Sequence, residues 1–145
     1  MSDHEQLVIF TVGGEQYALP IDRVREIIRL RDLRTVDASD PAIRGVISLR
    51  GKIIPVHDLA VRLGLPPQQA DGAKIVIVEG AGEAVGAIVD DVEEVHTVPT
   101  SEIEPVPDVG SELLTGIARI EERLVAVLDC DRAFPGHRVA DEALA

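Results

Sequence analysis

Apolar residues along this chain come in short blocks dominated by Val, Ile and Leu, separated by glycine pairs and charged residues. Blocks of that length and composition predict strands rather than helices. They place strands at 7–12, 16–20, 24–30, 46–49 and 52–56, and again at 74–79, 84–89, 92–98, 116–120 and 124–128. Gly13-Gly14, Ala81-Gly82 and Arg50-Gly51 fall where two-residue hairpin turns belong, and Glu121-Glu122 takes the corresponding place without glycine. Helices are few and short. Asp58 and Asp129 stand as N-caps before 59–63 and 130–134, with Gly64 and Pro66-Pro67 ending the first and Pro135-Gly136 the second.

The pattern is stated twice. Leu7-Val8-Ile9-Phe10 recurs as Ile75-Val76-Ile77-Val78, and Gly14-Glu15 as Gly82-Glu83. Ile21-Asp22, Val24 and Glu26-Ile27 recur as Val89-Asp90, Val92 and Glu94-Val95. After a slightly longer interval, Gly45-Val46 recurs as Gly116-Ile117, Ile53-Ile54 as Leu124-Val125, and Val56 and Asp58 as Val127 and Asp129. A tandem repeat of one unit predicts two similar subdomains with a pseudo-symmetric cleft between them. Each copy has about five strands and a helical turn, which fits a small barrel with few open edges. The expectation is a single mainly-β domain over 6–134, with subdomains at about 7–63 and 73–134. Residues 64–72 join the copies, 99–110 form a loop inside the second, and 135–145 form a C-terminal tail.

Composition narrows the function. The 145 residues are 46% hydrophobic but only 2% aromatic, so the core is aliphatic. Cys130 stands alone, which excludes an internal disulfide and suits a reducing cytoplasm. The polar start, 1–6, carries no basic segment ahead of the first apolar run, and no run reaches the ~20 residues of a membrane span. The net charge of -12 opposes nucleic-acid binding, and the lack of aromatics removes stacking platforms. An RNA-binding barrel is disfavoured on both counts; protein partners fit better.

No constellation asks for catalysis. Residues 74–86 look like a strand entering a dinucleotide-binding glycine loop, but Gly80, Gly82 and Gly86 are spaced one residue too widely. The β-branched stretch after them reads as a strand, and the repeat already explains Gly82 as a hairpin glycine. His57-Asp58 hints at acid–base chemistry, but neighbours in a strand point to opposite faces and Asp58 has its capping role. His4 and His137 lie near the ends, and His96 has no His or Cys at metal spacing. Asp90, Asp91, Glu93 and Glu94 read as a solvated acidic face. Ser48, Ser101 and Ser111 have no base in sequence company, and nucleophile elbow, Walker loop and HExxH motifs are absent.

Four segments carry a resemblance. Residues 43–59, Ile-Arg-Gly-Val-Ile-Ser-Leu-Arg-Gly-Lys-Ile-Ile-Pro-Val-His-Asp-Leu, closely resemble the signature of the CheW family of chemotaxis coupling proteins, continuing into Arg62-Leu63-Gly64-Leu65-Pro66. Residues 17–27, 86–95, and 114–118 followed by 123–129 resemble further family segments, in order. Ser48 stands where Asn is common in the family and His57 where an apolar residue is usual. The resemblance implies two tandem five-stranded Src-homology-3-like β-barrels with short helices. It implies a non-enzymatic, cytoplasmic adaptor recruited to membrane receptor arrays without inserting in the membrane. Its implied partners are the cytoplasmic tip of methyl-accepting chemoreceptors and the regulatory domain of the histidine kinase CheA. No cofactor or metal is implied.

On matched positions the resemblance assigns receptor contacts to Val24, Glu26, Gly45 and Arg50, and kinase contacts to Leu113, Leu114 and Ile117. Val24 would give apolar contact, Glu26 a charge, Gly45 close backbone approach, and Arg50 a planar fork for carboxylates or carbonyls. Val24 equally fits core packing, and Arg50 a solvated turn. Physically, an apolar cleft between the barrels could take a helix. The competing reading is a small-molecule or nucleotide sensor using that same cleft, which a ligand-dependent melting shift would reveal.

Overall fold

The computed structural model describes residues 3–31, 33–67, 72–80, 82–106 and 112–134. The position of Ala81, the Pro135-Gly136 stop, Ser111, His137 and the 135–145 tail lie outside them.

Eleven strands form among these residues: β1 His4–Val12, β2 Glu15–Pro20, β3 Val24–Arg29, β4 Ile43–Leu49, β5 Lys52–Asp58, β6 Lys74–Glu79, β7 Ala84–Val89, β8 Asp91–Pro99, β9 Ile103–Pro105, β10 Leu114–Ile120 and β11 Arg123–Leu128. Two four-residue helices, α1 Leu59–Arg62 and α2 Cys130–Ala133, follow β5 and β11. Both start as read from sequence. The Asp58 carboxylate accepts from the Ala60 amide, and Asp129 accepts from the Asp131 and Arg132 amides. One expectation fails: within 99–110, read as loop, Ile103–Pro105 pairs with β10. Pro105, its last residue, masks a short edge strand, where a missing N–H is tolerated.

The strands make two curled sheets, ordered β8-β1-β2-β11-β10-β9 and β3-β6-β7-β5-β4. Each sheet takes strands from both repeats. The hairpin β1–β2 of the first copy is completed by β8 to β11 of the second, and the hairpin β6–β7 of the second by β3 to β5 of the first. Matching parallel contacts, β11 with β2 and β5 with β7, close the exchange. The repeat boundary is therefore not a sheet boundary: neither 7–63 nor 73–134 makes a sheet alone.

Strand exchange explains the two unbroken apolar runs. Leu7 and Ile9 join a cluster made only of residues of the first sheet, while Phe10 points into a central cluster. Equivalent β6 does the same: Ile75 and Ile77 fill the second sheet's interior, and Val76 and Val78 the central cluster. A strand buried on both faces needs apolar residues at successive positions, not alternating ones. The central cluster also takes Leu19, Val85, Val89 and Leu128 from both sheets and Leu59 and Phe134 from the helical ends. This corrects a second expectation. The pseudo-symmetric interface between the sheets is packed core, not an open cleft, so it offers no room there for a helix or a small ligand.

The turns tell the copies apart. Arg50 and Gly51 adopt φ of 51° and 80°, and Glu121 and Glu122 adopt 49° and 68°. A side chain in left-handed backbone costs about 1 kcal/mol relative to glycine. Glu122→Gly is thus expected to raise stability by roughly 1 kcal/mol in urea titration, with an unchanged m-value.

Candidate functional site

The β4–β5 hairpin runs past the end of its sheet and carries Arg50 at its tip, with a side chain 72% exposed. Positive φ at Arg50 turns that side chain toward β3, where it pairs with Glu26. Bonding to Arg50 holds the Glu26 carboxyl below the usual carboxylate range, and the same bond raises the Arg50 guanidinium. Arg25, beside Glu26 on β3, pairs with Glu79 on β6. Between these charges lies a groove of about 800 Å³ on the second sheet, lined by Arg50, Lys52, Ile53, Ile54, Ile77 and Ala84 among others. Ile53 is 69% exposed at its edge, and Ile27 on β3 is 42% exposed. An apolar floor rimmed by paired charges of both signs suits a protein segment better than a small anion.

The sequence-derived residues distribute unevenly over this site. Glu26 and Arg50 come together in it. Val24 does not line the groove: it is half-buried, pairs with Val78 and packs on the central cluster. Gly45 is buried under the chain's own backbone. A Cβ there would overlap the Arg34 carbonyl, with the carbonyl carbon only 2.8 Å away, because Arg34 and Val46 exchange hydrogen bonds of 2.8 and 2.9 Å across it. Its close approach is thus to segment 34–35, which it allows to brace β4. Gly116 repeats the arrangement under Glu104 at 2.6 Å.

Leu113, Leu114 and Ile117 do not share one surface. Leu113 and Leu114 pack against the central cluster, and the Leu113 carbonyl accepts from the Asp129 amide at 2.7 Å. A bulge between Leu114 and Gly116 shifts the alternation, leaving Ile117 on the outward face opposite Ala126. That face also carries Arg119 and Leu124, the latter 65% exposed. Ile53 and Leu124 are equivalent in the repeat, as are Ile27 and Val95, and all four are exposed. Sequence reasoning missed them. Adjacent apolar pairs such as Ile53-Ile54 and Leu124-Val125 were the signal, since in a half-buried strand one member of each must face out.

The two faces differ in charge. Where the first has Arg50, the second has Glu121, with Glu94 where the first has Glu26; Arg123 lies between them, 3.3 and 3.5 Å away. The acidic residues 90–94 are individually engaged: Asp90 accepts from the Gly13 amide, Asp91 from Lys74, and Glu93 from Gln16. Among the described residues no three His, Cys, Asp or Glu gather as a metal-binding set, and no helix is long and apolar enough to cross a membrane. Cys130 donates to the Glu79 carbonyl at 3.3 Å, and burial pushes its thiol up to about 11.

Paired curled sheets with two quasi-equivalent faces that carry exposed apolar residues suit contact with other proteins. Comparison with known proteins gives the family. The CheW-like domain family matches residues 6–136, so the chain belongs to that family and is a non-catalytic coupling scaffold of chemotaxis signalling. It is similar to the chemotaxis protein CheW of Bacillus subtilis, 36% identical over 88% of this chain and 85% of the relative. CheW of Klebsiella aerogenes is 30% identical over 94% and 85%. The crystal structure of the scaffolding protein TtCheW from Thermoanaerobacter tengcongensis superposes with a TM-score of 0.81 at 32% identity, covering 92% of this chain and 94% of that one.

Proposed function

We propose that this scaffold joins the cytoplasmic tip of a methyl-accepting chemoreceptor to the regulatory domain of the histidine kinase CheA, and is recruited to receptor arrays through those contacts. The observation that carries the receptor half is the groove at the β4–β5 hairpin, with its isoleucine floor and the Arg50–Glu26 pair at its rim. An amphipathic helix presents what that surface takes: an apolar stripe flanked by charges. Gly45 serves the site from beneath, by letting segment 34–35 brace β4, and Val24 by fixing the start of β3 on the core.

The kinase half rests on the quasi-equivalent face of the first sheet. Exposed Leu124 and half-buried Ile117 offer apolar contact there, and Glu121 gives the opposite charge. Leu113 and Leu114 support the face from the core side rather than by contact.

Two separate faces predict simultaneous occupancy. Light scattering after size exclusion should show a ternary complex of the chain, a receptor-tip hairpin and the kinase regulatory domain. Leu124→Glu should remove the kinase domain and leave the hairpin bound. Strict competition between the two partners would overturn the two-face reading.

A further inference from the structure

The rim of the groove at the β4–β5 hairpin carries its charges in an order that the proposed docking leaves unused. Six charged residues line it: Arg25 and Glu26 on β3, Arg50 and Lys52 on the β4–β5 hairpin, and Glu79 and Glu83 on the β6–β7 hairpin. Three are cations and three anions, so in a chain of net charge -12 this rim is neutral. The sum hides a segregation. At the rim the β4–β5 hairpin is purely cationic and the β6–β7 hairpin purely anionic, while β3 holds one charge of each sign.

β3 cancels one charge on each side. Glu26 pairs with Arg50, and Arg25 with Glu79. Lys52 and Glu83 remain. Both are exposed, and neither side chain has an ion pair or hydrogen bond among the described residues. They do not pair with each other, although β5 and β7 are neighbours. The ladder between those strands begins only at Val56 and Gly86, so 52–55 and 82–84 lie beyond it and line the groove. Pro55, which has no amide hydrogen, stands where the ladder stops.

Both sides are fixed from behind. The Glu79 carbonyl accepts from Arg23 Nε at 2.9 Å and from the Cys130 thiol at 3.3 Å, and the Gly80 carbonyl accepts from Arg23 Nη2 at 3.3 Å. The Gly80 amide donates to the Glu83 carbonyl at 2.8 Å, which closes that hairpin. Lys52 is set by the β4–β5 register, opposite Leu49. Each charge thus projects from backbone that is in place before a partner arrives, which lowers the cost of binding.

We infer that Lys52 and Glu83 are specificity-determining residues: they select a helix with acidic residues along one flank of its apolar stripe and basic residues along the other, and they set which way it lies. This rests on the groove being the helix-docking site. With the stripe on the isoleucine floor, the acidic flank faces Lys52 and the basic flank Glu83. Turning the helix end for end exchanges its flanks and sets base against Lys52 and acid against Glu83. Two attractions become two repulsions, each changing affinity by a few-fold at an exposed rim. A helix with both flanks of one sign satisfies one side of the groove and is opposed by the other.

The test uses the full chain and a synthetic amphipathic helix with an isoleucine stripe between a glutamate flank and a lysine flank, carrying a nitroxide on the glutamate flank. Broadening of amide resonances should be stronger at Lys52 and Ile53 than at Glu83 and Ala84. In the double variant Lys52→Glu, Glu83→Lys the order should invert at similar affinity. Each single reversal should weaken binding about fivefold in calorimetry at low salt, without moving the thermal melt. That loss should fade in ~0.5 M salt, where the screening length is about 4 Å. Equal broadening at both sites, an order that the double variant leaves unchanged, single reversals without effect, or failure of the helix to bind the native chain overturns the assignment. A receptor-tip hairpin titrated in parallel separates the two readings. If it binds and neither reversal weakens it, the receptor reading stands and the selectivity falls. If it does not bind while the synthetic helix shows the inversion, the selectivity stands and the receptor reading falls.

Discussion

Replacing Gly45 by alanine is expected to cost about 3 kcal/mol, at the upper end for overpacking. The added methyl meets backbone, not a side-chain end that can rotate: the Arg34 carbonyl and the Thr35 Cα at 3.1 Å. Relief requires segment 34–35 to lift from β4. That breaks both Arg34–Val46 hydrogen bonds, each contributing about 1 kcal/mol, and exposes part of the apolar surface under Leu33. For a chain of this size the melting temperature should fall by about 10 °C. Gly14→Ala is the control: it meets nothing within 4 Å, so only its left-handed φ of 84° is penalised, at about 1 kcal/mol. Chemical denaturation of both variants decides the matter. A loss below 1 kcal/mol at Gly45 would mean the segment does not brace β4.

Arg50→Glu is expected to leave stability nearly unchanged and to weaken receptor-hairpin binding by about thirtyfold. The fold should tolerate the change because Arg50 sits at a hairpin tip with most of its side chain in water, where ion pairs contribute little. Binding should not, because a carboxylate at the rim faces Glu26 and reverses the charge met by the partner. Circular dichroism with a thermal melt establishes the first half, and titration the second. Unfolding of the variant would remove Arg50 from the site assignment, and unaltered affinity would move the contact elsewhere.

Much of the fold was legible because its elements are local. Strand period, turn glycines and the two aspartate caps placed nearly every element, and β6 and β7 end where the pattern places them. What the sequence concealed is non-local. Which hairpin completes which sheet depends on pairing across the whole chain, and only the doubly apolar runs at 7–10 and 75–78 hint that two strands are buried on both faces. The site followed the same rule. Glu26 and Arg50 were found by motif, and the structure pairs them. Gly45 was read as a receptor contact that permits close backbone approach; in the structure what approaches it is Arg34, a neighbour by folding. Leu113 and Leu114 look like surface candidates until the β10 bulge turns Leu114 inward. His57 looked like a cap's neighbour, yet its Nδ1 meets Arg62 on a helix, which in turn bonds to Asp40 in a connecting segment.

The central claim is that one chain offers two docking faces to two signalling partners. Titration calorimetry of the purified chain, first against a receptor-tip helical hairpin and then against the kinase regulatory domain, tests it most directly. The account predicts one-to-one binding to each, with dissociation constants on the order of micromolar. A folded chain that binds neither partner at concentrations of about 100 µM would contradict it.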